Sequence, residues 1–421
     1  MFKKTTLKNG LRVVTVPQKG TRAVTLFVLV GTGSKYEDKR ISGISHFLEH
    51  MFFKGTKKRP TPLDIAEPIE GTGGIMNAFT SEEHTGYYMK VDLAHASLAL
   101  DVVADIYLNS LLPTKEIEKE KGVVIEEINM YKDNPQAHVP YIWNSLLYGD
   151  QPAGRDIAGT KETVSALNRK DLQDYVKSQY VASNTVVVVA GDVKHDDIVK
   201  QTIKLFSGMR KGEFKNKEPV IVKQSKPQVA LEHRKTGQTH IALGVRGVNI
   251  TDERRYAQVL LATLLGGMMS SRLFVELREK LGLTYYVATV SDTNPDTGDV
   301  VTFAGVTNEN IEKAITAILK EYKNMATKKL SPKELKKGKD YLIGRTVLAL
   351  ESTDDRAVFY GKQELLEKDV LTPAQLYDRI QAVSASDIQE VAKEIFQPKN
   401  LNLAVLGPFK DKKLFEKLLK L

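Results

Sequence analysis

The chain repeats itself, and that constrains its fold more than any other feature. The stretch DLQDYVKSQYVASNTVVVVAGDV from Asp171 and the stretch DIQEVAKEIFQPKNLNLAVLGPF from Asp387 share one pattern: an amphipathic helix, an asparagine, an apolar strand and a glycine. Asp171 and Asp387, Asn184 and Asn400, and Gly191 and Gly407 all stand 216 positions apart. The same offset of 216 lays TLFVLVG, ending at Gly31, on HIALGVRG, ending at Gly247. It also brings the helical stretch from Leu93 near the one from Asn308, after a slip where the first half is longer. A register held across a whole half points to two copies of one unit. At 421 residues the chain also exceeds a single comfortable core. The expected domains are residues 1–210 and 227–421, with a polar, proline-bearing linker over 211–226.

Within the first half, period-two patterning predicts strands at Leu11–Val16, Val24–Val30, Ile75–Thr80, Thr85–Val91 and Thr185–Ala190. The opening residues read as strand, Asn-Gly turn, strand. Helices are predicted over Ser42–Phe52, Thr61–Glu70, Ala94–Ser110, Thr114–Lys132 and Arg169–Gln179. Some strands follow one another directly, so strict βαβ alternation fails. The fold class is therefore α+β: two homologous sandwich domains, each a largely antiparallel sheet with helices packed on it.

Composition narrows the chemistry. No cysteine is present, which removes disulfides, thiolate metal sites and a Cys nucleophile. Any metal must be held by His, Asp or Glu. The net charge of +9 is carried by scattered lysines without a basic block or interleaved aromatics, so nucleic acid is not an expected partner. No apolar run of 18 residues exists and no leader-like h-region precedes the first strand, so neither a membrane partner nor secretion is expected, and a cytoplasmic location is.

One short stretch carries reactive potential. In GISHFLEHMFFKGT, His46 and His50 stand at i and i+4 with Glu49 on the same helical face. Two imidazoles on one face suit zinc, and a carboxylate beside them suits a base for a zinc-bound water. The order is H-x-x-E-H, the inverse of the commoner motif. Phe47, Leu48, Met51 and Phe52 make the helix apolar, where an uncompensated polar cluster would be costly. A third protein ligand must come from elsewhere. In the helical run from Thr114, Glu120 and Glu127 lie seven apart on nearly one face, and Val123 and Val124 are expected to turn that face inward; Glu126 points elsewhere. A solvated, charge-rich surface helix is the competing reading of that run.

Together with GGIMNAFTSEEHTGYY, EKEKGVVIEEINMYKDNP, GRDIAGT and SSRLFVELREKLGLTYYV, this motif resembles the pitrilysin/insulinase family of inverzincin metallopeptidases, which includes the mitochondrial processing peptidase subunits. The resemblance implies one zinc per chain, held by His46, His50 and Glu127, with Glu49 as general base and Glu120 as supporting carboxylate. It implies a peptide substrate lying as an added strand along Asn77, Ala78, Phe79 and Thr80. It also implies that Arg278 and Tyr285 contact substrate and the developing oxyanion; without it, they read as a surface arginine in a helix stopped by Gly282 and a strand tyrosine. In the second half the offset of 216 puts Ala262, Leu265 and Gly266 opposite His46, Glu49 and His50, so no metal is expected there. Two-domain members pair around a chamber, which implies a homodimer with Arg278 and Tyr285 acting in trans. A catalytically silent assembly subunit and an obligate heterodimer are the rivals, and the intact motif set on one chain speaks against both. Two departures from the family pattern are Pro68, expected to kink or delay its helix, and Gln151, where a histidine is common.

Overall fold

The computed structural model describes residues 2–367 and 369–421. Its strands form two mixed sheets. The first runs β1 (Lys3–Thr6), β2 (Arg12–Pro17), β6 (Thr185–Gly191), β3 (Ala23–Val30), β5 (Thr85–Asp92), β4 (Ile75–Thr80) in spatial order. The second runs β7 (Gln228–His233), β11 (Asn402–Gly407), β8 (Gln238–Arg246), β10 (Gly298–Thr307), β9 (Thr284–Thr293). In each sheet one pair is parallel, β2 with β6 and β7 with β11, and the remaining pairs are antiparallel. The class is α+β with two similar domains, and the duplication is visible element by element: β2 begins at Arg12 and β7 at Gln228, 216 positions later.

The two compact units are not the contiguous halves 1–210 and 227–421. One comprises residues 1–129, 155–218 and 347–372, and the other 130–154, 219–346 and 373–421. Each half lends one helix to the other unit. Helix Thr353–Leu366, late in the chain, covers the outer face of the first sheet, where Ala357 and Tyr360 pack on Val14, Phe27 and Val188. It lies so close that a Cβ on Gly361 would stand 2.4 Å from Leu29 Cδ1. Helix Pro135–Tyr148 does the same for the second sheet, where Val139, Trp143 and Leu147 meet Ala242, Val301 and Ala404. Covering both faces explains why the central strand TVVVVAG is apolar without alternation and buried throughout. The opposite face of the first sheet carries the larger core, where Phe47, Leu48 and Met51 pack with Tyr87, Leu100 and Val103.

The expected elements of the first half appear within one or two residues. Helix Thr114–Asp133 ends just before Pro135, which also opens the next helix, with Asn134 accepting from the backbone N–H groups of Gln136 and Ala137. Pro68 does not delay its helix: Pro62–Glu70 begins at a full capping box between Thr61 and Asp64, and Pro68 falls in its last turn. Gln151 has a local task, clasping the linker by donating to the Ile221 carbonyl and accepting from the Ile221 N–H. No helix is long and apolar enough to cross a membrane among the described residues.

Trp143 is the only tryptophan of the chain, is 1% exposed, and donates from its indole N–H to Asp299 Oδ2 at 2.8 Å. Trp143→Ala should therefore destabilise the second unit by about 3–5 kcal/mol in chemical denaturation, and leave metal affinity at His46 and His50 unchanged.

Candidate metal centre

Helix Ile44–Met51 is held at its start by a buried carboxylate. Glu37 accepts from the backbone N–H of Gly43 at 2.7 Å and of Ser45 at 2.8 Å, which satisfies two of the helix's free donors. Burial pushes the Glu37 carboxyl up to about 8, against the pull of those N–H groups and of Arg155. Gly43 itself has φ 96°, and a Cβ there would lie 2.5 Å from the Ala158 carbonyl oxygen, so only glycine fits. The Tyr175 hydroxyl ties Ser45 Oγ to Thr32 Oγ1.

From this fixed start the helix presents His46 and His50 one turn apart, ring centroids 4.7 Å from each other. Helix Thr114–Asp133 brings Glu127 to both: each Nε2 is 3.5 Å from Glu127 Oε2. That is too long for an N–H···O hydrogen bond. It is close to the edge of a tetrahedron whose ligands sit about 2.0–2.1 Å from a central zinc, about 3.3–3.4 Å. His46, His50 and Glu127 are also the one group among the described residues whose donor atoms converge this way. The donor set, two imidazoles and a carboxylate, suits zinc.

Glu120 stands behind the centre. Its Oε1 meets His50 Nδ1 at 2.9 Å and its Oε2 meets Lys54 Nζ at 2.7 Å. This bond places the His50 proton on Nδ1 and turns Nε2 toward Glu127. Burial would raise the Glu120 carboxyl, but His50 and Lys54 outweigh it and hold it low. Burial alone would lower His50; Glu120 and Glu127 override it and push the imidazole up to about 9. Glu127 is held well below the usual carboxylate range, first by His46 and then by His50. His46 Nδ1 is buried without a hydrogen-bond partner among the described residues, whereas its Nε2 faces Glu127.

One sequence expectation about this helix needs correction. Val124 is fully buried, but Val123 is 52% exposed. The inward face is the one shared by Glu120, Val124 and Glu127; Val123, one residue earlier, is rotated away by about 100°.

Glu49, on the same helix as the imidazoles, is half-buried and accepts from the Thr80 hydroxyl at 2.7 Å. Sequence reasoning named both residues but not the bond between them. Alternation along β4 was the available signal, because it puts Thr80 on the inward face with Met76 and Ala78. Asn77, Ala78, Phe79 and Thr80 all lie on β4, the edge strand of the first sheet.

In the second unit Arg278 belongs to a seven-residue π-helix, Phe274–Lys280, a geometry that the sequence did not signal and that recurs at functional sites. Arg278 donates to the Tyr285 carbonyl at 3.1 Å and rests over the Phe274 ring. The Tyr285 side chain is 80% exposed on β9, an edge of the second sheet. The structure thus brings Arg278 and Tyr285 together, and the fold does not bury the phenol. Ala262, Leu265 and Gly266 are buried on helix Arg255–Gly266. A Cβ at Gly266 would stand 2.5 Å from the Thr289 N, so β9 fills the space that a histidine would need.

Metal binding at this centre should release protons. At pH 7 the metal-free His50 sits below its raised pKa of about 9 and carries both protons, whereas a ligand imidazole must be neutral. Zinc titration followed calorimetrically in buffers of different ionisation enthalpy should show release of about one proton per ion at pH 7, falling as pH rises past 9. Glu120→Gln should weaken zinc binding by about 10- to 100-fold in chelator competition.

Comparisons with known proteins agree with this architecture. Residues 12–161 match the family described as Insulinase (Peptidase family M16), and residues 166–342 match the Peptidase M16 inactive domain. An uncharacterized zinc protease of Bacillus subtilis strain 168 is 36% identical over 97% of this chain and 98% of its own length. An uncharacterized zinc protease of Streptomyces coelicolor is 35% identical, covering 97% of this chain and 90% of its own. The crystal structure of a protease from Helicobacter pylori superposes with a TM-score of 0.90 at 26% identity, over 97% of this chain and 99% of that one. With the duplicated fold and near-full-length similarity to these relatives, the chain belongs to the insulinase family, peptidase family M16.

Proposed function

We propose that the protein is a zinc-dependent endopeptidase that hydrolyses peptides or unfolded segments. The observation that carries this reading is the convergence of His46, His50 and Glu127 at tetrahedral-edge distances, with Glu49 on the same helix face. The names of the bacterial relatives support it.

A zinc ion held by these three side chains would polarise the scissile carbonyl and acidify the water beside it. Glu49 takes the proton of the attacking water and returns it to the leaving amine. Glu120 keeps the His50 ring in register and holds its Nδ1 proton, and Lys54 balances the Glu120 charge. The substrate backbone adds as a strand along Asn77–Thr80, the open edge of β4, which fixes the scissile bond through main-chain hydrogen bonds. Arg278 and the Tyr285 phenol supply donors to the carbonyl oxygen as charge develops on it. In this reading two chains form a clamshell chamber, and Arg278 and Tyr285 of one act on the metal site of the other, within a cytoplasmic homodimer.

Glu49→Gln should retain about one zinc per chain and lower turnover of a peptide library, read by mass spectrometry, by about 10²–10⁴-fold. Full turnover in that variant would sink the base assignment. For the trans arrangement, mixing Glu49→Gln chains with Arg278→Ala chains should restore roughly a quarter to a half of wild-type activity, depending on subunit exchange, because each mixed dimer holds one complete site. Absence of any recovery, with exchange verified by mass, would refute it.

A further inference from the structure

The bond between Thr80 and Glu49 has a role that neither residue shows alone. An ionised carboxylate only accepts, so the Thr80 hydroxyl must donate to Glu49 Oε2. Glu49 Oε1 has no hydrogen-bond partner among the described residues. One oxygen is therefore anchored and the other is free.

Thr80 is itself anchored. It pairs with Thr85 as the last rung of the β4–β5 ladder, and the turn that follows closes with Ser81 N–H donating to the His84 carbonyl at 2.9 Å. The turn is strapped to the segment before the histidine helix: Ser34 N–H donates to the Ser81 carbonyl, Lys35 N–H to the Glu82 carbonyl, and Lys35 Nζ to Glu83 Oε1. Gly33 permits this contact, because a Cβ there would stand 2.1 Å from the Ser81 oxygen. Both partners of the bond are thus fixed by residues 33–37, Thr80 through the turn and Glu49 through the Glu37 cap on its helix.

We propose that Thr80 is a positioning residue for peptide hydrolysis: its hydroxyl fixes the Glu49 carboxylate through Oε2 and presents Oε1 as the oxygen that takes and returns the proton. Because Thr80 ends the strand on which the substrate backbone adds, one strand aligns the scissile bond and the base together. The inference rests on Glu49 being the general base.

Thr80→Val keeps the shape and strand preference and removes the donor. It should lower kcat by about 10- to 100-fold with KM within about twofold, since misplacing a catalytic group acts on the chemical step. Zinc content should stay at the wild-type value. Binding of a labelled library peptide to the Glu49→Gln protein, followed by anisotropy, should not change when Thr80→Val is added. Thr80→Ser, which restores a hydroxyl, should recover kcat to within about threefold. Wild-type turnover in Thr80→Val alongside an inactive Glu49→Gln overturns the positioning role and leaves the peptidase reading intact. A loss in Thr80→Val that tracks lost zinc or lost peptide affinity also overturns it, since the role would then be structural. An active Glu49→Gln removes the base and this proposal with it.

Discussion

The site depends on the Glu37 carboxylate seated on the first turn of helix Ile44–Met51. A hydrogen bond of this kind contributes about 0.5–1.5 kcal/mol net, and leaving either buried N–H unpaired would cost about 1–3 kcal/mol. The cap fixes where the helix begins, and so where each imidazole points one and two turns later. Glu127 arrives from a helix that starts some seventy positions further along the chain, and its carboxylate meets both ring nitrogens at the same distance. Two rigid elements must be right at once, and the short segment from Thr32 to Glu37 is tied to the histidine helix and to the β4–β5 turn alike.

The electrostatic arrangement is graded. Lys54, Glu120 and His50 alternate in sign along one line, so the buried carboxylate of Glu120 has a partner on each oxygen. The Glu120 and Glu127 carboxylates, acting against burial, push the His50 imidazole up and so favour positive charge at this point of the fold. This is the expected behaviour of a preformed site, in which the fold brings negative and neutral donors close enough that something positive must sit among them.

Much of this was legible in the chain. Helix and strand boundaries in the first half followed from caps and alternation, and the His46/Glu49/His50 face followed from helical spacing alone. The assignment of Glu127 over Glu120 as the nearer donor came through family resemblance, since seven residues of separation put both on one face. Val123 misled because adjacent positions on a helix diverge by about 100°, so a pair of valines cannot both mark the inward face. Alternation along β4 turns Thr80 inward, but its bond to Glu49 depends on how a sheet edge meets a helix, which is a tertiary relation. The π-helical turn around Arg278 was hidden because one extra residue per turn leaves no compositional trace.

The reciprocal loan of helices has a consequence for biosynthesis. The outer face of the first sheet stays bare until residues 353–366 have left the ribosome, by which time most of the polypeptide has been made. Val14, Val16, Phe27 and Val188 would meanwhile present an apolar surface to any other nascent chain. Neither half of the chain therefore completes its own sheet packing, because the outer face of each sheet waits for a helix encoded in the other half.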